Sequence, residues 1–364
     1  METEELLALI NLLNVKGVGP QRVNALVRQF TKPSDIFSAD EGDLCQVPRV
    51  DVKTARRIKA YSEHSHVDKL LNICQRRQIG ITTLWDDDYP ELLKKIYDPP
   101  SILYWAGQPL EKQADCLSLV GSRKTTNYGR SVAQKLTREV VEQGLVTVSG
   151  LARGIDSVVH DETVKQGGRT IAVLGSGVDV IYPASNRKLV DAIQEQGTII
   201  SEFIPGTKPE AGNFPQRNRI ISGLGHGVVV VEAGNRSGAI LTALNAIDQN
   251  REVFAVPGRI NDSQSVGCLR LIRHGAVPAT GADVIMDQIE NRLYRPHRAR
   301  QTTINLELSA TEARICEHLS HDPVHIDDLV RATEMELTKL LAILLEMELR
   351  NIVVQLSGKQ FVLA

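Results

Sequence analysis

Residues 213–238 read NFPQRNRIISGLGHGVVVVEAGNRSG, and the fold is decided there. Val228, Val229, Val230 and Val231 form an unbroken apolar run, with no alternation that would leave one face to water. Such a run is a strand covered on both sides, as in the parallel sheets of α/β proteins. A helix-like stretch containing Arg217, Asn218 and Arg219 precedes it. A Gly-rich loop with Glu232, Arg236 and Gly238 follows it. Parallel sheets offer backbone amides and side chains to a ligand from loops of this kind.

Outward from this strand the same alternation repeats between Leu117 and Ile285. Apolar, β-branched runs end at Val120, Ser149, Leu174, Glu202, Glu232 and Pro257, and amphipathic stretches such as Tyr128–Gln143 and Ala239–Asn250 fill the gaps. The pattern predicts an α/β fold, a doubly wound, Rossmann-like parallel sheet. Before it, residues 66–116 carry turn signals at Tyr89-Pro90 and Asp98-Pro99-Pro100 and end in an apolar strand before Gly107. They read as a connecting region leading into the sheet.

Residues 1–65 read as short helices. LLNVKGVGPQRVNALVRQF sets Gly17, Val18 and Gly19 between two apolar-periodic runs, the pattern of a helix-hairpin-helix, and LCQVPRVDVKTARRIKAY repeats it with Pro48, Arg49 and Val50 in place of the glycines. Two readings follow: a helical domain that packs on its neighbour, or one whose turns offer amides to phosphate. Residues 291–302 form a basic linker. Residues 303–364 give three helices and a hairpin around Ser357-Gly358-Lys359, a winged helix. Its third helix has Thr338 and Lys339 among Glu334, Glu336, Glu346 and Glu348, an acidity that argues against DNA and for protein contact or a purely structural module.

Composition bounds the function. The 364 residues are 42% hydrophobic and 24% charged, with a net charge of −2. That balance hides an excess of Lys and Arg between Ser118 and Gly275 and the reverse after Thr303, so an anionic partner belongs to the middle of the chain. No apolar run is long enough for a membrane span, and the acidic start METEELLALI is unlike a signal peptide, which predicts a cytoplasmic protein. Cys45, Cys74, Cys116, Cys268 and Cys316 form no C-x-x-C pair. Asp86, Asp87 and Asp88 are consecutive, which suits a solvated loop better than convergence on one ion, so no metal is expected.

Ligands of open parallel sheets lie beyond the carboxyl ends of the strands. Those loops hold Arg123, Lys124, Arg153, Arg187, Lys188, Lys208, Arg217, Arg219, Arg236 and Arg259, interleaved with glycines. G-S-G-V-D-V after Val173 and GSRKTTNYG after Val120 both miss G-x-G-x-x-G, and no P-loop motif occurs, so no nucleotide cofactor is expected. Asp156 and His160, one helical turn apart, read as a helix N-terminal acid and a packing histidine. A cationic rim with Tyr182, Phe203 and Phe214 in the same loops suits single-stranded nucleic acid, which needs a phosphate track and rings for bases. The enzyme alternative is a nucleotide or nucleoside-phosphate hydrolase in which Glu232 activates water beside Arg219. A scaffold whose acidic winged helix recruits a basic partner is a third reading.

GSRKTTNYG, SGLARGIDSVVH, TIAVLGSGVDVIYPASNRKL, FPQRNRIISGL, EAGNRSGAILTA and FAVPG, in this order, resemble the DNA-processing protein A (DprA, also Smf) family over nearly the whole chain. The resemblance implies an extended Rossmann domain between a sterile-alpha-motif-like domain and a winged helix. It implies a non-enzymatic, dimeric protein that protects incoming single-stranded DNA in natural transformation and loads the RecA recombinase onto it. Carried onto this sequence, Gly121, Ser122 and Arg123 of the GSR motif, Phe214, Arg217, Asn218 and Arg219 of FPQRNR, Lys188 and Arg236 would contact DNA. Leu269 and Ile272 in SVGCLRLIRHGA would lie at the dimer interface.

Overall fold

The computed structural model describes residues 2–61, 65–294, 309–320, 323–349, 352–356 and 358–363. Six helices come first: α1 (Thr3–Asn14), α2 (Pro20–Phe30), α3 (Pro33–Ser38), α4 (Glu41–Gln46), α5 (Val52–Lys59) and α6 (Ser65–Arg76). Strand β1 (Gly80–Thr83), helix α7 (Glu91–Lys94) and β2 (Ile102–Gly107) lead into β3 (Cys116–Gly121). The chain then alternates: α8 (Asn127–Glu142), β4 (Val146–Ser149), α9 (Ile155–Lys165), β5 (Thr170–Val173), α10 (Arg187–Gln196), β6 (Thr198–Ser201), α11 (Asn213–Leu224), β7 (Gly227–Glu232), α12 (Gly238–Asp248), β8 (Glu252–Ala255), α13 (Val266–Arg273), β9 (Val277–Pro278) and α14 (Ala282–Ile289).

The valine run is β7, buried at every position. The nine-stranded sheet has the order β1-β2-β6-β5-β4-β3-β7-β8-β9. From β3 the chain winds outward through β4, β5 and β6, returns to β7 on the other side of β3, and winds out again through β8 and β9, all in parallel. The winding direction therefore reverses between β3 and β7, which creates a crevice at their carboxyl ends.

The parallel sheet expected between Leu117 and Ile285 is present, and the connecting region extends it. The connecting region supplies β1 and β2, which pair antiparallel with each other and with β6, making a mixed sheet. β2 is covered on both faces: Leu103 packs into the core under the β-strands, and Tyr104 packs into the core of the N-terminal helices. Those helices share that second core with Ile102 and Val178, and the Asn24 amide donates to the Pro99 carbonyl at 3.2 Å.

The chain divides into two compact units, Met1–Pro296 and His297–Ala364. The second contains α15 (Ala310–Cys316), β10 (Val324–His325), α16 (Ile326–Thr333), α17 (Leu337–Leu349), β11 (Val353–Leu356) and β12 (Gln360–Leu363), with the sheet order β10-β12-β11. Its core holds Ile315, Leu329, Leu340, Leu344, Met347 and Phe361, and a Ser309–Glu312 capping box starts α15. Residues 295–302 of the expected linker, and Ser357 of the expected hairpin turn, lie outside the described residues.

Candidate nucleic-acid cleft

A cleft of about 790 Å³ opens at the reversal point, lined by the loop after β3 (Gly121, Ser122, Arg123, Lys124), by Asp156, Tyr182, Phe214, Arg217 and Asn218, and by Gly234–Gly238 and Gln264. Its walls are fixed by close backbone packing. Gly154, at φ +86°, lies against the Ser122 carbonyl, where a Cβ would collide, and a Cβ on Gly121 would come within 2.6 Å of Ile155. Only glycine allows the two loops to approach this closely. Ser122 Oγ donates to Gln264 at 2.7 Å, and the Ser122 N–H donates to the Glu232 carbonyl at 2.7 Å. The loop carrying Arg123 is thereby bound to the end of β7.

Arg123 and Phe214 meet in the mouth of the cleft, the guanidinium 5.2 Å from the ring centroid. Tyr182 adds a second ring 5.8 Å from Phe214 and is 49% exposed. Arg123, Lys124 and Arg236 are exposed and, among the described residues, have no carboxylate partner. The arrangement offers positive charge with no carboxylate partner beside one exposed ring, Tyr182, and one half-buried ring, Phe214, which suits phosphates alternating with bases.

The remaining expected contacts divide. Arg217 lines the cleft but is only 4% exposed; its Nη1 donates to the carbonyls of Gly150, at 2.8 Å, and Val173, so it ties the ends of β4 and β5 together. Burial brings its guanidinium down to about 10, against the opposing charge of Asp156. Asp156 accepts from the Ala152 N–H at 3.3 Å, and burial pushes its carboxyl up while Arg217 opposes the shift. Asn218 reaches the Gly238 carbonyl at 3.4 Å. Arg219 does not line the cleft: it lies between Glu202, at 2.6 Å, and Asp98, at 3.3 Å, in a half-buried triad. Lys188 is exposed in the first turn of α10 and is not one of the residues that line the cleft.

Glu232 and Arg219, the pair behind the hydrolase alternative, are not brought together. The Glu232 carboxylate accepts from the Thr126 hydroxyl at 2.6 Å and its N–H at 3.1 Å, beside the start of α8, while Arg219 is occupied by Glu202. His160 faces the Thr170 hydroxyl at 2.8 Å, with its ring brought down to about 3 by burial, which agrees with a packing role. Sequence reasoning missed Gln264, a polar residue in a loop with no motif of its own, and Asn235, which lies inside the EAGNRSGAILTA stretch. It also missed an outward apolar stripe on α12, where Leu241, Leu244 and Ile247 are 46%, 48% and 56% exposed. Of the expected dimer residues, Leu269 is half-buried and Ile272 packs partly against the sheet core.

Comparison with known proteins resolves the family. Residues 80–290 match the model of DNA recombination-mediator protein A, 299–359 the DprA winged helix domain, and 9–61 a SAM-like helix-hairpin-helix tandem. The chain belongs to the DprA family. A protein Smf from a Synechocystis strain is 33% identical over 95% of this chain and 96% of its own length. The DprA of Bacillus subtilis is 38% identical over 73% of this chain and 93% of its own. The DprA crystal structure from Streptococcus pneumoniae superposes with a TM-score of 0.68 at 33% identity, covering 78% of this chain and 97% of that one. A Helicobacter pylori DNA processing protein A, described for its single-stranded DNA binding mode, superposes with a TM-score of 0.53 at 27% identity over 60% and 98%. The DprA-family sheet thus places its reversal point, and the cleft with it, within the matched residues 80–290. Among the described residues no helix is long and apolar enough to cross a membrane.

Proposed function

We propose that this chain is a single-stranded DNA-binding protein that uses the cleft between β3 and β7 to hold the strand. The carrying observation is the Arg123–Phe214–Tyr182 cluster, with a cation over one ring and a second ring beside it. Arg123, Lys124 and Arg236 follow the phosphates, and Phe214 and Tyr182 take bases on their faces. Neither step needs a cofactor, a metal or a bond-breaking residue. Arg217 and Asn218 act from behind this surface by fixing the loops, and Arg219 anchors α11 through Glu202 and Asp98.

In this reading the protein covers incoming strands in the cytoplasm and passes them to the RecA recombinase during transformation or recombination. A homodimer is supported by the apolar stripe of α12 beside α13: Leu244, Ile247, Leu271 and His274 line one groove. The test is a titration of labelled single strands at several salt concentrations, followed by recombinase. The parent should prefer single strands to duplex, with affinity falling steeply with salt, and Arg123→Ala with Arg236→Ala should lower the slope of log K against log salt by about 0.7 for each lost phosphate contact. An unchanged slope in both variants would remove the cleft from the reading. If the parent did not accelerate recombinase filament formation, the loading role would fail while the binding role stood.

A further inference from the structure

The loop between β8 and α13 carries a cation and an apolar side chain, Arg259 and Ile260, that do not line the cleft. Residues 259–262 make a tight turn in which the Asp262 N–H donates to the Arg259 carbonyl at 3.1 Å, with Ile260 and Asn261 at its corners. The Gln264 N–H donates to Asp262 Oδ1 at 2.9 Å, and the Ser265 N–H to the Asp262 carbonyl at 3.0 Å. Gly258 brings the two ends of the loop together, since a Cβ there would stand 2.1 Å from Ser265 Oγ. The Gln264 carbonyl accepts from the Ala233 N–H at 2.8 Å, and its side chain accepts from Ser122 Oγ at 2.7 Å. The turn is therefore fixed to the end of β7 and to the loop that carries Arg123 and Lys124.

Glycine and polar residues favour turn corners, yet the corner here is Ile260, 89% exposed. A single exposed apolar side chain is ordinary, so its surroundings decide. Tyr128, in the first turn of α8, is 54% exposed, and its hydroxyl donates to the Pro257 carbonyl at 2.8 Å, which holds the ring at the start of the same loop. Arg259 is exposed beside Ile260, and Lys124 is exposed four residues before Tyr128; among the described residues neither has a carboxylate within ion-pairing distance. Asp262, the one acid of the loop, is half-buried and accepts from Gln264. Helix α8 packs on the face of the sheet opposite to α11 and α12, whose first turns line the cleft. Tyr128 and the cleft thus lie on two sides of one rim, built from Ser122, Arg123, Lys124 and Gln264.

We propose that Tyr128, Arg259 and Ile260 form a second station for single-stranded DNA, on the far side of the rim from the cleft. A strand leaving the cleft passes Lys124, sets a phosphate on Arg259 and lays its next bases on the Tyr128 ring and the Ile260 side chain. A cation without a carboxylate beside an exposed apolar face takes any base, because every base has a π-face. A duplex keeps its bases inside and would leave Tyr128 and Ile260 uncovered, so the ligand is the unpaired strand. The station rests on the single-strand reading of the cleft, from which the strand arrives, and lengthens the bound segment.

The experiment titrates the full chain against labelled single strands of about 4 to about 16 nucleotides, the span of known single-strand sites. Affinity of the parent should rise with length once the cleft is filled. Tyr128→Ala should lower affinity for the longest strand by roughly fivefold or more, as one stacking face is lost, and leave the shortest unchanged. Tyr128→Phe, which keeps the ring, should retain most of the gain. Arg259→Ala should lower the slope of log K against log salt by about 0.7 with the long strand only. Ile260→Asn, which suits a turn corner, should weaken the long strand without lowering the thermal midpoint. A parent whose affinity does not rise with length, variants that bind the long strand like the parent, or variants that lose short and long strands equally would overturn the proposal. Failure of the cleft shows differently: Arg123→Ala would then bind the shortest strand like the parent.

Discussion

Arg123 lies over the ring of Phe214, 5.2 Å from its centroid, although one comes from the loop after β3 and the other from the first turn of α11. Loss of the ring removes both a stacking face and the platform that orients the cation. Phe214→Ala should weaken binding of single strands by about 1–3 kcal/mol, whatever the base sequence, because every base has a face to stack. Phe214→Tyr should retain most of the affinity. Anisotropy titrations at fixed salt with homopolymeric and mixed strands measure both.

Arg217 is expected to report on stability more than on contact. Its guanidinium faces Asp156 across Gly150, with both side chains within 2.7 Å of where a Cβ on that glycine would lie. Arg217→Ala leaves the carbonyls of Gly150 and Val173 without their donor and leaves a buried carboxyl without its counter-charge. Leaving buried polar groups unsatisfied in this way costs about 1–3 kcal/mol for each group, so the denaturation midpoint should fall sharply. Adding Asp156→Asn should restore part of the loss, since no charge is then stranded. No recovery in the double variant would mean that the two are uncoupled.

Gly129 sits in the first turn of α8, where Ala normally stabilises a helix by about 1 kcal/mol. Here a Cβ would stand 2.5 Å from Glu232 Oε2. Gly129→Ala should therefore destabilise, by about 1–3 kcal/mol as in other overpacked sites. It should also weaken DNA binding, because Glu232 holds Thr126 and through it the loop carrying Arg123. Chemical denaturation and a strand titration on one sample would show the two effects together.

Where the sequence was legible, the reason was local. The valine run needs cover on both faces, and the alternation around it leaves few topologies, so the parallel core and the loops at its carboxyl ends follow from pattern alone. β1 and β2 were less legible, because their strands are defined by what covers Leu103 and Tyr104, which only the tertiary fold supplies. The arginines show the limit most sharply. Arg123, Arg217 and Arg219 look alike in sequence, yet one is open to the cleft, one is bound to strand-end carbonyls and one is locked between two carboxylates. Which role a cation takes depends on partners distant in the chain.

His160 gives the stability a definite pH dependence. Burial brings its ring from about 6.5 to about 3, so the folded protein holds it neutral while the unfolded chain takes up a proton below about 6.5. Stability from this group is complete above the unfolded value and is lost as the pH falls toward the folded one, by up to about 1.4 kcal/mol for each pH unit. His226, lowered by burial against the pull of Asp115, acts in the same sense. His160→Gln should flatten the decline between pH 6.5 and 4 relative to the parent, measured by urea denaturation across that range.

The apolar stripe of α12 makes the last prediction. Leu241, Leu244 and Ile247 point outward at helical spacing, and Leu244 and Ile247 share a groove with Leu271 and His274 of the neighbouring α13. If a second copy covers this face, a charge placed there would be desolvated at the interface centre, whereas in a monomer it would stay in water at little cost. Leu244→Glu should then convert a dimer to a monomer in sedimentation equilibrium and leave the thermal midpoint of the monomeric fold nearly unchanged. Ile272→Ser, at a position partly packed against the sheet core, should lower that midpoint as well. A parent that sediments as a monomer at micromolar concentration, or a Leu244→Glu variant that remains dimeric, would move the interface elsewhere.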